Sequence, residues 1–252
     1  LALLLGGITP SSGGIHYGTT HDKKRLEPER DIAQVSQELA KELIDADIRH
    51  DISDVCENAI DEGTTIGALL QQTQAPQHDI DAALEQFGLA AFAARGVRFV
   101  STGQLRRTLL ARALLKKPAI IALDNPLDGL DHESRLAVND LIRQLMTGDR
   151  TTLFFSRHRL ALPDGITHVL ELDNCRLRFS GTANEWRRTQ NTSATTAETG
   201  TIQPVDFELP ALIKFENVSI RYQERAIFSN ATFAVYPHQH TLISGPNGCG
   251  KS

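Results

Sequence analysis

Apolar positions along the chain fall into two kinds of run. In GQLRRTLLARALLKK, Gly103–Lys117, residues Leu105, Leu109, Leu110, Ala113 and Leu114 recur at the spacing of one helix face. Lys116 and Lys117 suit the negative end of that helix, and Pro118 stops it. A second amphipathic helix is predicted over ESRLAVNDLIRQLMTG, 133–148. The other runs are short and continuous. AIIAL (Ala119–Leu123) and TTLFF (Thr151–Phe155) fit buried strands of a parallel sheet. This strand–helix–strand rhythm argues for a parallel α/β core. Beyond residue 211 the pattern changes: LIKFENVSIRY, AIFSNATFAVY and TLISG read as strands parted by turn residues.

Between these regions lies RRTQNTSATTAETGTIQPVDFELPA, 187–211, rich in Thr, Ser, Ala and Pro. It reads as a linker. The expected organisation is therefore a first part over 1–186, a linker over 187–211 and a β-rich part over 212–252. Hydrophobic residues make up 40% of the 252, enough for a packed core in one or two domains. The net charge of −5 gives no basic field of the kind that nucleic acid attracts. No apolar run approaches the roughly 20 residues of a membrane span, so direct membrane insertion is not expected. Cys56, Cys175 and Cys249 are far apart and odd in number, and read as reduced thiols without metal spacing.

The last strand-like run feeds SGPNGCGKS, Ser244–Ser252. From Gly245 on it fits G-x-x-x-x-G-K-[ST], a loop whose backbone N–H groups wrap phosphates. Gly245, Gly248 and Gly250 permit its conformation and close approach, with Asn247 and Cys249 between them. Lys251 would reach the β/γ-phosphates, and the Ser252 hydroxyl would bind Mg²⁺. Such a loop normally opens a helix whose dipole favours the anion. At the other end, LALLLGG begins without Met and looks like a helix already under way. The expectation is a segment running from just after one phosphate loop to the end of the next; the tail of a signal peptide is the alternative for residues 1–7.

Two further stretches carry chemistry. VSTGQLRR, Val100–Arg107, precedes the first helix. Ser101 or Thr102 can cap it, with Gln104 completing a capping box, or the same helix end can offer its donors to a phosphate. In AIIALDNPLDGLD, Asp124 ends a buried strand, where a carboxylate can hold Mg²⁺ through water. An Asp opening a turn before Pro126 is the simpler reading of that residue alone.

The order VSTGQ, then ARALLKKPAIIALDNPLDGLD, then TTLFFS resembles the ATP-binding-cassette ATPases. The resemblance implies an α/β P-loop fold with a parallel core sheet, a helical subdomain and an antiparallel β subdomain. It implies ATP and Mg²⁺ as cofactors. Ser101, Thr102, Gly103 and Gln104 match the family's signature, with Val100 for the usual Leu and Thr102 for a Gly. Gln37, in VSQE, resembles the Q-loop ligand of Mg²⁺ and water; Asp131 matches the D-loop Asp. Tyr222 resembles the aromatic that stacks on adenine, although a strand-end aromatic explains it equally. Within the family the pattern is most similar to tandem cassettes of the ModF type, which are associated by name with molybdate transport.

The sequence also departs from the family. Asn125 stands where a Glu usually polarises the attacking water, and an amide cannot accept a proton. Arg157 occupies the switch position, and His158 is one residue late. The family pairs cassettes head to tail, so residues 245–252 would face Ser101–Gln104 across one site. Gln37, Asp124 and Asn125 would belong to another. The resemblance implies a cytoplasmic protein, peripheral at the inner face of the membrane, with a second cassette and a membrane permease as partners. Two functional readings follow: an ATPase that energises a transporter, or an ATP-sensing tandem cassette with a degenerate site. As for the fold, Thr241–Ser244 is expected to pair with Thr152–Phe155, bringing Ser252 near Leu1 and Lys251 to face Asp124.

Overall fold

The computed structural model describes residues 5, 9–20, 24–49, 63–146, 150–156, 163–173, 176–192, 210–222 and 225–244. In chain order the elements are β1 (Ser12–Tyr17), α1 (Pro28–Asp31), β2 (Ile32–Val35), α2 (Gln37–Arg49), α3 (Ile66–Gln71), α4 (Gln77–Gln86), α5 (Thr102–Leu115) and β3 (Ile120–Asp124). There follow α6 (His132–Met146), β4 (Thr151–Ser156), β5 (His168–Asp173), β6 (Arg176–Thr182), α7 (Ala183–Thr192), β7 (Ile213–Tyr222), β8 (Arg225–Val235) and β9 (His240–Ser244). The chain divides into two units, one of 1–32, 119–125 and 143–252, the other of 33–118 and 126–142.

In the first unit, strands run in the order β3-β4-β9-β5-β6. β3, β4, β9 and β5 are parallel, and β6 returns antiparallel on β5. The late strand β9 thus lies in the middle of the sheet, between two strands that precede it by far in the chain. Its partners on β4 are Thr241↔Leu153, Leu242↔Phe154, Ile243↔Phe155 and Ser244↔Ser156, the pairing expected from the sequence. A second sheet, β1-β7-β8, is antiparallel throughout.

Period-two alternation builds the core of this unit. Ile120 and Ala122 of β3, Leu153 and Phe155 of β4, Leu170 and Leu172 of β5 and Ile243 of β9 form one cluster with Ile213, Phe215, Val218 and Val235 of the antiparallel sheet. The intervening Ile121, Leu123, Phe154, Val169 and Leu242 are buried too. Burial on both faces is why these strands read as continuous apolar runs.

The helix α7 extends to Thr192, six residues into the stretch whose composition reads as a linker. Its start explains its persistence: Glu185 accepts from the Thr182 N–H and hydroxyl, both at 2.8 Å, and donates its own N–H to Thr182 Oγ1 at 3.2 Å. Trp186 then anchors it, donating its indole N–H to the buried Glu171 at 3.0 Å. Residues 193–209 lie outside the described residues.

The second unit centres on α5, against which α2, α3 and α4 all pack. That surrounding corrects the expected one-sided stripe. Arg106, Thr108 and Ala111 are buried with Leu105, Leu109, Leu110 and Ala113, while Leu114 is only half-buried. Leu69 and Val97 pack on Leu105, with Leu43 and Ile44 of α2 alongside.

Candidate nucleotide site

The parallel strands of the first unit end together. Asp124, last residue of β3, is opposite Phe155 of β4; Ser156, last of β4, is opposite Ser244, last of β9. Carboxyl ends of parallel strands are where open α/β sheets bind ligands. Asp124 is 5% exposed and Ser156 is buried. Asn125 follows Asp124 with φ of 44°, a left-handed conformation that Asn tolerates better than most residues. Its backbone N–H extends the ladder to Phe155 O at 3.0 Å. Its side-chain amide turns back and donates to Asp124 Oδ1 at 2.5 Å.

The opposite end of β9 is fastened by two threonines. Thr151 Oγ1 accepts from His238 N at 3.0 Å, and Thr167 Oγ1 accepts from His240 N, also at 3.0 Å. His240 is buried, and its Nδ1 finds no hydrogen-bond partner among the described residues. Burial lowers its pKa, against a contact with the Met146 backbone that raises it and assisted by the neighbouring His238. His168, beside Gln239, is lowered by burial as well and raised in part by Glu185. A histidine whose folded-state pKa lies below its ordinary value, about 6.5, binds its proton more readily when unfolded. Its contribution is therefore intact above that value and is lost as pH falls below it. His240→Leu should remove part of the acid sensitivity: between pH 7 and 5.5 its melting temperature should fall by roughly 2–4 °C less than that of the parent. Parallel pH profiles for the two proteins would contradict this.

In the second unit, Ser101 and Gln104 form the capping box. Ser101 Oγ accepts from Gln104 N at 3.2 Å, and Gln104 Oε1 accepts from Ser101 N at 2.9 Å. The hydroxyl keeps its own O–H to donate to an anion. Thr102 begins the helix exposed, and Gly103 is buried. Gln37 is exposed as the first residue of α2, where the preceding Ser36 caps the helix by accepting from Leu39 N at 3.0 Å. Asp131 caps α6: Oδ1 accepts from Ser134 N at 2.8 Å, and Oδ2 from the Ser134 hydroxyl at 3.1 Å. Those two bonds hold the Asp131 carboxyl below its ordinary range. Ser134 was not among the residues singled out from the sequence; the Asp-x-x-Ser spacing from Asp131 is the signal that points to it.

Tyr222 ends β7 opposite Arg225, and its side chain is outside the described set. Arg157, His158, the cysteines and the whole loop of Gly245, Asn247, Gly248, Cys249, Gly250, Lys251 and Ser252 also lie outside the described residues. Among the described residues, no group of three or more His, Cys, Asp or Glu side chains could hold a metal by itself. No helix among them is long and apolar enough to cross a membrane.

The profile of the ABC transporter family matches residues 1–128, just over half of the chain. The chain belongs to that family. It is 28% identical over 235 residues to the ABC transporter ATP-binding protein ModF of Escherichia coli (strain K12), covering 88% of this chain and 48% of that protein. It is 36% identical over 110 residues to the zinc import ATP-binding protein ZnuC of Brucella suis biovar 1, covering 44% of this chain and 37% of the other. It thus spans about half or less of the length of these curated relatives. Among solved structures it is similar to an ATP-bound bacterial Atm1-family ABC exporter, with a TM-score of 0.52 and 19% identity over 79% of this chain and 35% of that one. A nucleotide-free ATP-binding cassette from an ABC transporter gives 0.51 and 17%, over 76% and 78% of the two chains. The fold is the α/β P-loop cassette of this family.

Proposed function

We propose that this ABC-family chain is the ATP-binding portion of a tandem-cassette ATPase, working in the cytoplasm with a membrane permease, in which Asp124 and Asn125 serve a site that holds Mg²⁺–ATP and turns it over poorly. In this reading residues 1–186 belong to a first cassette, 187–211 to a connection, and 212–252 to the start of a second. The two cassettes pair head to tail, so that Ser101–Gln104 of one meets the phosphate loop 245–252 of the other. The donor chemistry fits: Asp124 presents a hard oxygen ligand at a strand end, and Mg²⁺ needs little more than one or two carboxylates when phosphates and water complete its shell. When bound, the ion would neutralise phosphate charge. Asn125 carries the argument for poor turnover, because its amide is spent on Asp124 and cannot take a proton from water.

A missing general base costs about 10²–10⁴-fold. Asn125→Glu alone is expected to raise phosphate release in the intact protein by less than about tenfold, since Glu must enter a left-handed backbone and Arg157 still occupies the switch position. Adding Arg157→His should bring the gain to about 10²-fold. Calorimetry and a phosphate-release assay, run on the same samples, check this. A parent that hydrolyses rapidly would remove the poor-turnover claim, and a parent that binds no ATP would remove the reading as a whole. The Asn125–Asp124 bond also favours a second reading, ATP sensing without turnover, which pairing locked by ATP with no phosphate release would select.

A further inference from the structure

We infer that Ser134 is a positioning residue for the signature turn, and that residue 103 is a glycine because Ser134 packs directly onto it. Gly103 sits buried in the first turn of α5. A methyl added there would collide with Ser134 Oγ and stand 2.8 Å from Ser134 Cβ. Ser134 cannot simply swing away. Its N–H and its hydroxyl are both held by the Asp131 carboxylate, at 2.8 and 3.1 Å. Its Cβ moves only with the first turn of α6. The backbone here is ordinary right-handed helix, a conformation that alanine favours over glycine, so the glycine's presence calls for a steric cause.

Two causes could exclude a side chain at residue 103: a phosphate approaching the helix end, or a neighbour within the unit. The structure supplies the second. Asp131 fixes Ser134, and Ser134 fixes the distance between the first turns of α6 and α5. A shift of the Asp131 turn must then displace Gly103, and with it Ser101 and Gln104. The functional half of this inference rests on the reading that Ser101–Gln104 faces a nucleotide; the packing half does not.

The test uses the full chain carrying Gly103→Ala, Ser134→Gly, or both. Two quantities are read: the melting temperature, and the ATP concentration that half-saturates binding at fixed Mg²⁺. Gly103→Ala should lower the first and raise the second about tenfold, the scale of a forced overpacking. Ser134→Gly introduced into the same chain should restore most of both losses. A double variant no better than Gly103→Ala in either measurement would overturn the inference; a Gly103→Ala variant with an unchanged melting temperature and a weaker ATP response would assign the glycine to ligand approach. If Gly103→Ala does not accumulate folded, adding Ser134→Gly must recover folded protein, and failure to do so overturns it equally. A parent that never associates with ATP would count against the nucleotide reading, while recovery of the melting temperature would still decide the contact.

Discussion

Leu242→Pro is expected to abolish cooperative melting of the first unit, with Leu242→Ala only lowering its midpoint. Leu242 is opposite Phe154 on β4 and Val169 on β5, so the strand is paired on both sides. Proline removes a donor from the ladder and is confined to edge strands and bulges, so it does not fit a strand paired on both sides. The carbonyl deprived of its donor stays buried, adding about 1–3 kcal/mol. The buried leucine side chain is also lost. Together these approach the whole stability of a domain, roughly 5–15 kcal/mol. Leu242→Ala removes only packing, about 2–5 kcal/mol. Circular dichroism melts of the two variants provide the check. A proline variant melting within a few degrees of the alanine variant would mean that β9 is not an interior strand. Since β9 leads into residues 245–252, loss of ATP binding should accompany loss of the transition.

The parts of the fold legible in the sequence were those buried on both faces or long and periodic. β3, β4 and β9 show as uninterrupted apolar runs, and α5 and α6 as helical periodicity. The β5–β6 hairpin was not read, because Glu171 interrupts its apolar run; that carboxylate is tolerated inside because Trp186 donates to it at 3.0 Å and the Arg178 guanidinium lies 3.8 Å away. α7 was hidden for a related reason: Thr, Asn, Gln and Arg look like linker composition, and one tryptophan with a capping box outweighs them. At the candidate site, residue identities were legible and conformations were not. Asn125 could be recognised as an unusual residue beside Asp124, but its left-handed backbone and the turn of its amide toward Asp124 are properties of the folded strand end. The contact between Gly103 and Ser134 joins two helices, and no local pattern contains it.

Arg98→Ala is expected to destabilise the second unit by about 3–5 kcal/mol at neutral pH, and to reverse the sign of its acid response. Asp47, near the end of α2, is 7% exposed. Its Oδ2 meets Arg98 Nε at 2.7 Å, and its Oδ1 accepts from Thr64 N, also at 2.7 Å. Burial pushes the Asp47 carboxyl upward, but the hydrogen bonds from Thr64 and the Arg98 charge outweigh it and hold the group below its ordinary range. Gly63 completes the pocket: its φ is +63°, and a side chain there would run into the carboxylate. In the parent, a depressed folded-state pKa means that the stabilisation is present above the ordinary aspartate value, about 3.9, and disappears as pH falls through the folded one. Without Arg98, Thr64 is the one partner left to the buried charge among the described residues, and desolvation should lift its pKa above the ordinary value. The variant then takes up a proton on folding, so its deficit should shrink as pH is lowered from 7 toward 5, where the parent is unchanged by this pair. Asp47→Asn in the Arg98→Ala background should recover part of the loss at pH 7, because the amide oxygen can still accept from Thr64 N without bearing charge. Urea denaturation of the three proteins at pH 7 and pH 5 measures all of this. A deficit in Arg98→Ala that is the same at both pH values, and unrelieved by Asp47→Asn, would show that Arg98 contributes through its packing beside Phe99, whose ring centre lies 5.4 Å from the guanidinium carbon, rather than through the buried charge.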